Sequence, residues 1–237
     1  MSVFVLKIIA CVAMLIDHFG AAIMLPTFDQ PWFNAEVYEL TRGIGRIAFP
    51  IFAYLIAQGC VHTKNIGKYL LRLGLLAIIS EPFFDMAFRF WEDGINFFAD
   101  TNIFYTLFLG VAGIVIYEKT RPLLGDIIGF LAATPVLAVA WLMNTDYAHI
   151  GVGLILLVYI MRPENPLGRC IALTIGMTVL YIDSLYHLLF SLVAVGLIAL
   201  YNGKPGPNNA AVKWGFYFFY PAHIAALVAS RSIFFQS

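Results

Sequence analysis

A chain of 237 residues with 61% hydrophobic, 16% aromatic and 12% charged positions and a mean hydropathy of +0.85 is too apolar for a water-soluble domain. Fourteen basic residues balance fourteen acidic ones, so no net basic charge marks a nucleic-acid partner. The composition describes an all-α protein of the lipid bilayer: a polytopic transmembrane helix bundle forming a single integral membrane domain over residues 1–237.

A spanning helix takes about 20 residues. Apolar runs fall at 3–25, 45–62, 68–88, 102–117, 123–143, 149–161, 167–182, 185–201 and 213–234, about nine spans with the sixth and seventh short. The first has only Lys7 ahead of a long apolar stretch that Asp17 and His18 interrupt. That is a poor fit to a cleavable signal peptide and reads as a retained first helix. The third span carries Glu81 and Asp85 four residues apart, and the fourth opens with Asn102 and Tyr105. Asp146 and His149 precede the sixth, Asp183 and His187 bracket the start of the eighth, and His223 lies near the middle of the ninth. Pro50, Pro82, Pro135 and Pro221 fall inside spans, where each removes a backbone donor and invites a kink. Residues 202–209, with Gly203, Pro205, Gly206 and Pro207, read as a flexible linker. The absence of an internal repeat counts against an inverted-repeat transporter. Cys11, Cys60 and Cys170 have no metal or disulfide spacing and read as packing residues.

Charge sorting sets an orientation. With the amino terminus inside, Lys7, Lys64, Lys68, Arg72, Lys119, Arg121, Arg162, Arg169, Lys204 and Lys213 lie at inner ends or connectors, leaving Arg42, Arg46, Arg89 and Arg231 outside. This satisfies the positive-inside rule and puts the carboxyl terminus, marked by Gln236, outside. Of the acidic residues only Glu118, Asp126 and Glu164 fall inside, so carboxylates concentrate in the outer half.

An ionisable residue near mid-membrane costs on the order of 3 kcal/mol on insertion scales, so it calls for a partner or a task. Residues three or four apart on a helix share a face. Asp17, His18, Arg46, Glu81, Asp85, Asn102, Tyr105, Asp146, His149, Asp183, His187 and His223 are therefore expected to meet in one outward-facing cavity. Carboxylates beside imidazoles, with Arg46 to neutralise a carboxylate or hold a developing oxyanion, make up a toolkit for proton transfer. The basic stripe of His62, Lys64, Lys68 and Arg72 is expected on one helix face at the inner end of the third span. It serves either to anchor the membrane surface or to bind a phosphorylated cytosolic ligand.

Several motifs have a familiar order. Asp17-His18-Phe19-Gly20, then Arg46-Ile47-Ala48-Phe49-Pro50-Ile51-Phe52-Ala53, His62-Thr63-Lys64-Asn65 and Lys68-Tyr69-Leu70-Leu71-Arg72-Leu73 are followed by Ser80-Glu81 with Phe84-Asp85. Asn102-Ile103-Phe104-Tyr105-Thr106-Leu107, Asp146-Tyr147 and Tyr220-Pro221-Ala222-His223 complete the set. Across nearly the whole chain this resembles the TraX family of bacterial integral membrane proteins. A conjugative-plasmid member of that family is associated with N-acetylation of pilin, and the family is grouped with membrane acyltransferases that draw on cytosolic acyl-coenzyme A.

The resemblance implies an acyl-CoA-dependent acyltransferase, with acetyl-CoA as the donor, in a bacterial cytoplasmic membrane. The acceptor would be an amine or hydroxyl of a peptide, protein or small molecule at the outer face. His18, oriented by Asp17, is then the general base and Arg46 the support for the oxyanion. Glu81 and Asp85 tune His18, bind a cationic acceptor or carry away its proton. Asn102, Tyr105, Asp146, His149 and His223 are assigned to the acceptor pocket, and Lys64, Lys68 and Arg72 to the coenzyme A phosphates. A proton-coupled transporter, a non-catalytic assembly partner of a secreted peptide or pilin, and a lipid-modifying enzyme with another donor would draw on the same residues.

Overall fold

The computed structural model describes residues 1–89 and 100–235. In chain order its helices are α1 (Val3–Phe19), α2 (Ala35–Gly45), α3 (Ala48–His62), α4 (Ile66–Phe88), α5 (Ile103–Leu124) and α6 (Asp126–Ala133). There follow α7 (Pro135–Leu142), α8 (Ala148–Ile160), α9 (Pro166–Leu180), α10 (Leu185–Ala199) and α11 (Ala210–Phe235). A π-helical turn, Gly20–Met24, and a 3-10 turn, Leu25–Thr27, prolong α1. No strand occurs among the described residues, where Thr101 and Thr145 form an isolated bridge. The fold is all-helical, as the composition implies.

Val3–Thr27, Ala35–His62 and Ile103–Leu124 are long and apolar enough to cross a bilayer, while Asp126–Leu142, Ala148–Ile160, Pro166–Leu180 and Leu185–Ala199 are shorter apolar stretches. The side chains facing outward are also apolar. Ile8, Val12, Leu15 and Phe19 are exposed along α1, Leu71, Leu75 and Ile78 along α4, Ile171, Ile175 and Val179 along α9, and Leu185, Leu189 and Val193 along α10. Spacings of three and four place each set on one helix face. Glu81, Asn102, Thr106, Ser191 and His223 are buried instead. An apolar exterior over buried polar groups suits lipid as the surrounding solvent, and this is a membrane protein.

Several boundaries differ from the sequence reading. The run expected at 45–62 starts ten residues earlier, at Ala35, and is broken at Arg46 and Ile47 between α2 and α3. Pro50 is the third residue of α3, where its missing N–H would have had no intrahelical acceptor, so it starts a helix rather than kinking one. Pro135 opens α7 in the same way and splits the run expected at 123–143. Of the four prolines, Pro82 and Pro221 are the ones inside helices. Each deprives the carbonyl four residues earlier, of Ile78 and Tyr217, of its helical donor. Gln236, the expected outer marker, lies outside the described residues.

Helix starts are set locally. Ser2, Asn34, Asn102, Asn165 and Ser184 are N-caps whose side chains accept backbone N–H groups of the first turn. The segment 202–209 is not a loose linker. Its Lys204 and Pro205 carbonyls accept from Val3 and Phe4 at 3.0 and 3.1 Å, satisfying two amides at the start of α1. Gly206 has a φ of +71°, and a Cβ there would press on Ser2 Oγ at 2.7 Å and Phe4 Cβ at 2.9 Å.

The chain forms two compact units, and α3 and α4 contribute residues to both. In the first unit, α1 packs on α2 through Gly20 and Gly45, where an added Cβ would collide with Thr41 and Asp17 respectively. Gly43 of α2 lies against Phe190 and Tyr186 of α10, and the Tyr186 hydroxyl donates to the Glu39 carbonyl at 3.2 Å. Arg231 of α11 donates to the Ala22 carbonyl of the π turn and to the Met86 and Ala87 carbonyls at the end of α4. In the second unit, Leu109, Val136, Ala140 and Val152 form a core with Phe108, Ala112, Ile116 and Leu137. There α8 meets α5 at Gly110 and α9 at Gly176, the small residues that let membrane helices approach closely.

Close approach makes these glycines sensitive. A Cβ on Gly110 would fall 2.7 Å from Ile155 Cδ1 and 2.8 Å from its Cγ2. Gly110→Ala should cost about 1–3 kcal/mol by overpacking, read as a lower thermal midpoint in detergent. Gly196→Ala on α10, with nothing within 4 Å of the new methyl, should instead be neutral or gain up to about 1 kcal/mol from helix propensity.

Candidate active site

Consecutive residues on a helix point about 100° apart, so Asp17 and His18 at the end of α1 face different neighbours. Asp17 faces α2. Its Oδ1 receives Arg42 Nη1 at 2.8 Å and Arg46 Nη2 at 3.4 Å, and Arg42 Nη1 also lies 3.4 Å from the Asp17 carbonyl. Arg46 Nε donates to the Arg42 carbonyl at 3.0 Å, which ties the two arginines together. They stand one turn apart on the same side of α2, and Gly45 between them leaves the space that the Asp17 carboxylate fills. The three side chains are only 15–25% exposed. Two guanidinium groups thus converge on one carboxylate.

His18 faces α11. Its Nδ1 lies 2.7 Å from Nε2 of His223. The rings are within 15° of parallel with centroids 4.9 Å apart. A 2.7 Å nitrogen contact plus two ring radii accounts for that separation, so the imidazoles meet edge to edge rather than face to face. Phe88 of α4 and Tyr220 of α11 pack edge-on against His18 at 5.0 and 5.8 Å. His223 is 7% exposed, and its Nδ1 lies 2.7 Å from the Phe219 carbonyl oxygen one turn back. Asp85, expected to tune His18, is buried with Arg89 Nη1 3.7 Å away.

These contacts correct two assignments. Asp17 does not orient His18, because its carboxylate is engaged by Arg42 and Arg46 while the imidazole is held by His223. Arg46 neutralises a carboxylate, one of the two roles read for it, and shares Asp17 with Arg42. His223, assigned to an acceptor pocket, is the direct partner of the expected base. Arg42, Gly45, Tyr220 and Phe88 were missed as site residues. The first had a signal in its four-residue spacing from Arg46, and Tyr220 in its place in the Tyr-Pro-x-His motif.

The other expected site residues lie in the second unit. Glu81 is fully buried and accepts from the Asn102 backbone N–H at 3.1 Å and from the Asn102 side-chain amide. That amide also donates to the Ala77 carbonyl at 2.8 Å, so Asn102 joins α4 to the start of α5 while its Oδ1 caps Phe104. The Tyr105 amide donates to the Asn102 carbonyl at 3.1 Å. Asp146 acts through its backbone, donating to the Thr101 carbonyl at 2.9 Å and accepting from the Thr106 hydroxyl. His149 is exposed in the first turn of α8, beside Leu137, Ala138 and Trp141.

The basic stripe is shorter than expected. Lys68 and Arg72 stand one turn apart on α4, with the Arg72 guanidinium 5.8 Å from the Tyr69 ring centroid, but Lys64 lies in the connector ahead of Ile66. Asp183 likewise precedes the cap of α10, so the pairing read from a four-residue spacing fails, and His187 Nδ1 meets Ser184 Oγ at 2.8 Å.

The family model described as TraX protein matches residues 2–231 of this chain. A relative described as the probable fimbrial assembly protein FimC, serogroup H1, of Dichelobacter nodosus is 29% identical over 256 residues, covering 99% of this chain and 97% of that protein. No solved structure matches the chain.

The carboxylate seat gives a direct test. Gly45→Ala drives a methyl into Asp17 and should cost about 1–3 kcal/mol through overpacking. The loss, read by thermal unfolding in detergent, should shrink markedly in an Asp17→Gly background, where the Cβ, Cγ and Oδ1 that the new methyl would meet are all absent. Equal losses in both backgrounds would show that Gly45 does not serve this contact.

Proposed function

This chain belongs to the TraX family, and from that premise we propose that it is a membrane-embedded acyltransferase of fimbrial or pilus biogenesis, moving an acyl group, acetyl in the simplest case, from acyl-coenzyme A to an amine at the outer face. The observation that carries the reading is the His18–His223 contact, a pair of partly or fully buried imidazoles beside two arginines that converge on Asp17. Family membership and the name of the relative from Dichelobacter nodosus support a setting in fimbrial assembly.

In this reading the acceptor nitrogen adds to the thioester carbonyl carbon. His18 takes a proton from that nitrogen, the carbon–sulfur bond breaks, and His18 returns the proton to the departing thiolate. The products are the N-acylated acceptor and free coenzyme A. Positive charge from Arg42 and Arg46 favours an uncharged amine over an ammonium ion nearby and offsets negative charge building on the carbonyl oxygen. The donor site is assigned to Lys68 and Arg72, two cations one turn apart on α4 that suit phosphate groups, with Lys64 reaching from the connector.

Purified protein in detergent, given acetyl-CoA and a short peptide with a free amino terminus, should release free thiol and acetylated peptide. His18→Ala should lower that rate by about 10² to 10⁴ while leaving donor binding intact. The base works only as neutral imidazole, so wild-type rates should fall as pH drops through one titration, and that limb should vanish with His18. A wild-type protein that neither binds nor consumes acetyl-CoA would end the proposal.

The reading also needs a defined topology. We place the amino terminus inside with about nine crossings, on the strength of the charge sorting. Single cysteines at Asn65 and Asn202 should then react with impermeant reagents from the cytoplasmic side, and one at Gln236 from the opposite side. Labelling of the Gln236 position from the cytoplasm would reverse the frame.

A further inference from the structure

The hydrogen-bond chain through His223 fixes which nitrogen of each imidazole carries hydrogen. Nδ1 of His223 lies 2.7 Å from the Phe219 carbonyl oxygen. A carbonyl oxygen only accepts, so Nδ1 of His223 is the donor. In the neutral ring this leaves Nε2 of His223 with the lone pair. That atom is 2.7 Å from Nδ1 of His18, which must therefore supply the hydrogen. His18 is left with its own lone pair on Nε2, an atom that has no hydrogen-bond partner among the described residues.

We propose that His223 is a positioning residue that holds His18 in the Nδ1–H tautomer, making Nε2 of His18 the atom that takes the acceptor's proton, and that the two imidazoles then share that one added proton. The direction of the chain comes from the α11 backbone, because the Phe219 carbonyl can serve only as its last acceptor. Free histidine prefers the opposite tautomer, so the arrangement needs a built-in cause, and among the described residues no carboxylate supplies one: Asp17 is turned to α2. When Nε2 of His18 gains a proton, the hydrogen on its Nδ1 can pass to Nε2 of His223. His18 is then neutral with hydrogen on Nε2, and the charge sits on His223, which bears hydrogen on both nitrogens. One proton enters and none leaves, so the positive charge has two rings to occupy.

Among the described residues, the charged groups that act on His18 are Arg42 and Arg46, both held by Asp17, and Tyr220 packs edge-on against both imidazoles. A neutral partner has a consequence that a carboxylate would not. Substituting it removes a hydrogen-bond acceptor without removing a charge, so the tautomer of His18 should change while the Asp17 cluster stays intact.

The role assigned to Nε2 rests on the acyltransferase reading, but the tautomer does not, and the experiment separates them. Full-length protein with 15N-labelled histidine, in detergent at neutral pH, is read by the nitrogen shifts of its imidazoles, assigned from the peaks lost in His18→Asn and His223→Phe. Hydrogen on Nδ1 and a bare Nε2 are expected for both rings. His223→Phe should move His18 toward the ordinary Nε2–H form and lower acetyl transfer by about 10²-fold or more with the KM for acetyl-CoA unchanged. His223→Gln, which keeps an acceptor near the same place, should restore part of that rate and the Nδ1–H form. An Nε2–H tautomer of His18 in the wild type overturns the inference, as does His223→Phe with an unshifted tautomer and a normal rate. Nδ1–H on both rings in a protein that moves no acyl group would overturn the acyltransferase reading and leave the pair standing. Should His223→Phe fail to fold, the wild-type shifts and the Gln variant decide alone.

Discussion

Asp17 brings a carboxylate into a setting where lipid offers it nothing to bond with, and the surrounding helices answer that need. A buried carboxylate persists only when paired, because the cost of leaving it alone far exceeds that of ordering its partners. Two arginines one turn apart on α2 meet it, and the glycine between them removes the side chain that would keep them away. Once the carboxylate is committed to α2, the helical rotation between neighbouring residues turns His18 toward α11. The imidazole then finds its own partner in His223 and not in the carboxylate beside it in sequence.

Backbone irregularity gathers around the same place. A π-helical turn begins at Gly20, two residues after His18, and Pro221 interrupts α11 two residues before His223. Local departures from regular helix are where membrane proteins find room for polar contacts, and π turns recur at functional sites. Arg231 steadies these elements by donating to carbonyls of the π turn and of the last turn of α4. One cation thereby serves carbonyls that helix ends leave without donors. Its spacing from His223 on α11 means that the imidazole is carried on a helix fixed at two points.

Much of this was legible in the chain. Hydropathy located the helices because lipid imposes the same apolar requirement on every outward face, and the short sixth and seventh runs emerged as α8 and α9. Asp17 and His18 stood out because charge is rare in such runs. Partnerships were harder to read. Spacing rules see only contacts within one helix, so they could not find Glu81 with Asn102, 21 positions apart, or His18 with His223, which lie 205 positions apart. The same rules misled at Asp183 and His187, because the Ser184 cap starts α10 between them, and at Lys64, which lies in the connector ahead of α4. Proline position carried a similar ambiguity: Pro50 and Pro82 look alike in sequence, and only the helix start decides whether the missing N–H matters.

The distance along the chain between the two imidazoles also fixes an order of events during synthesis. Arg42 and Arg46 follow Asp17 by 25 and 29 residues, so the carboxylate finds its counter-charges while the next helix is being made. His223 follows His18 by 205 residues, which at typical elongation rates is a wait on the order of 10 to 40 seconds. Throughout that interval the first helix holds an imidazole with no imidazole partner, and a chain cut short before α11 has no pair at all. Such a chain keeps Asp17 with its two arginines but leaves His18 without the imidazole it meets in the folded bundle.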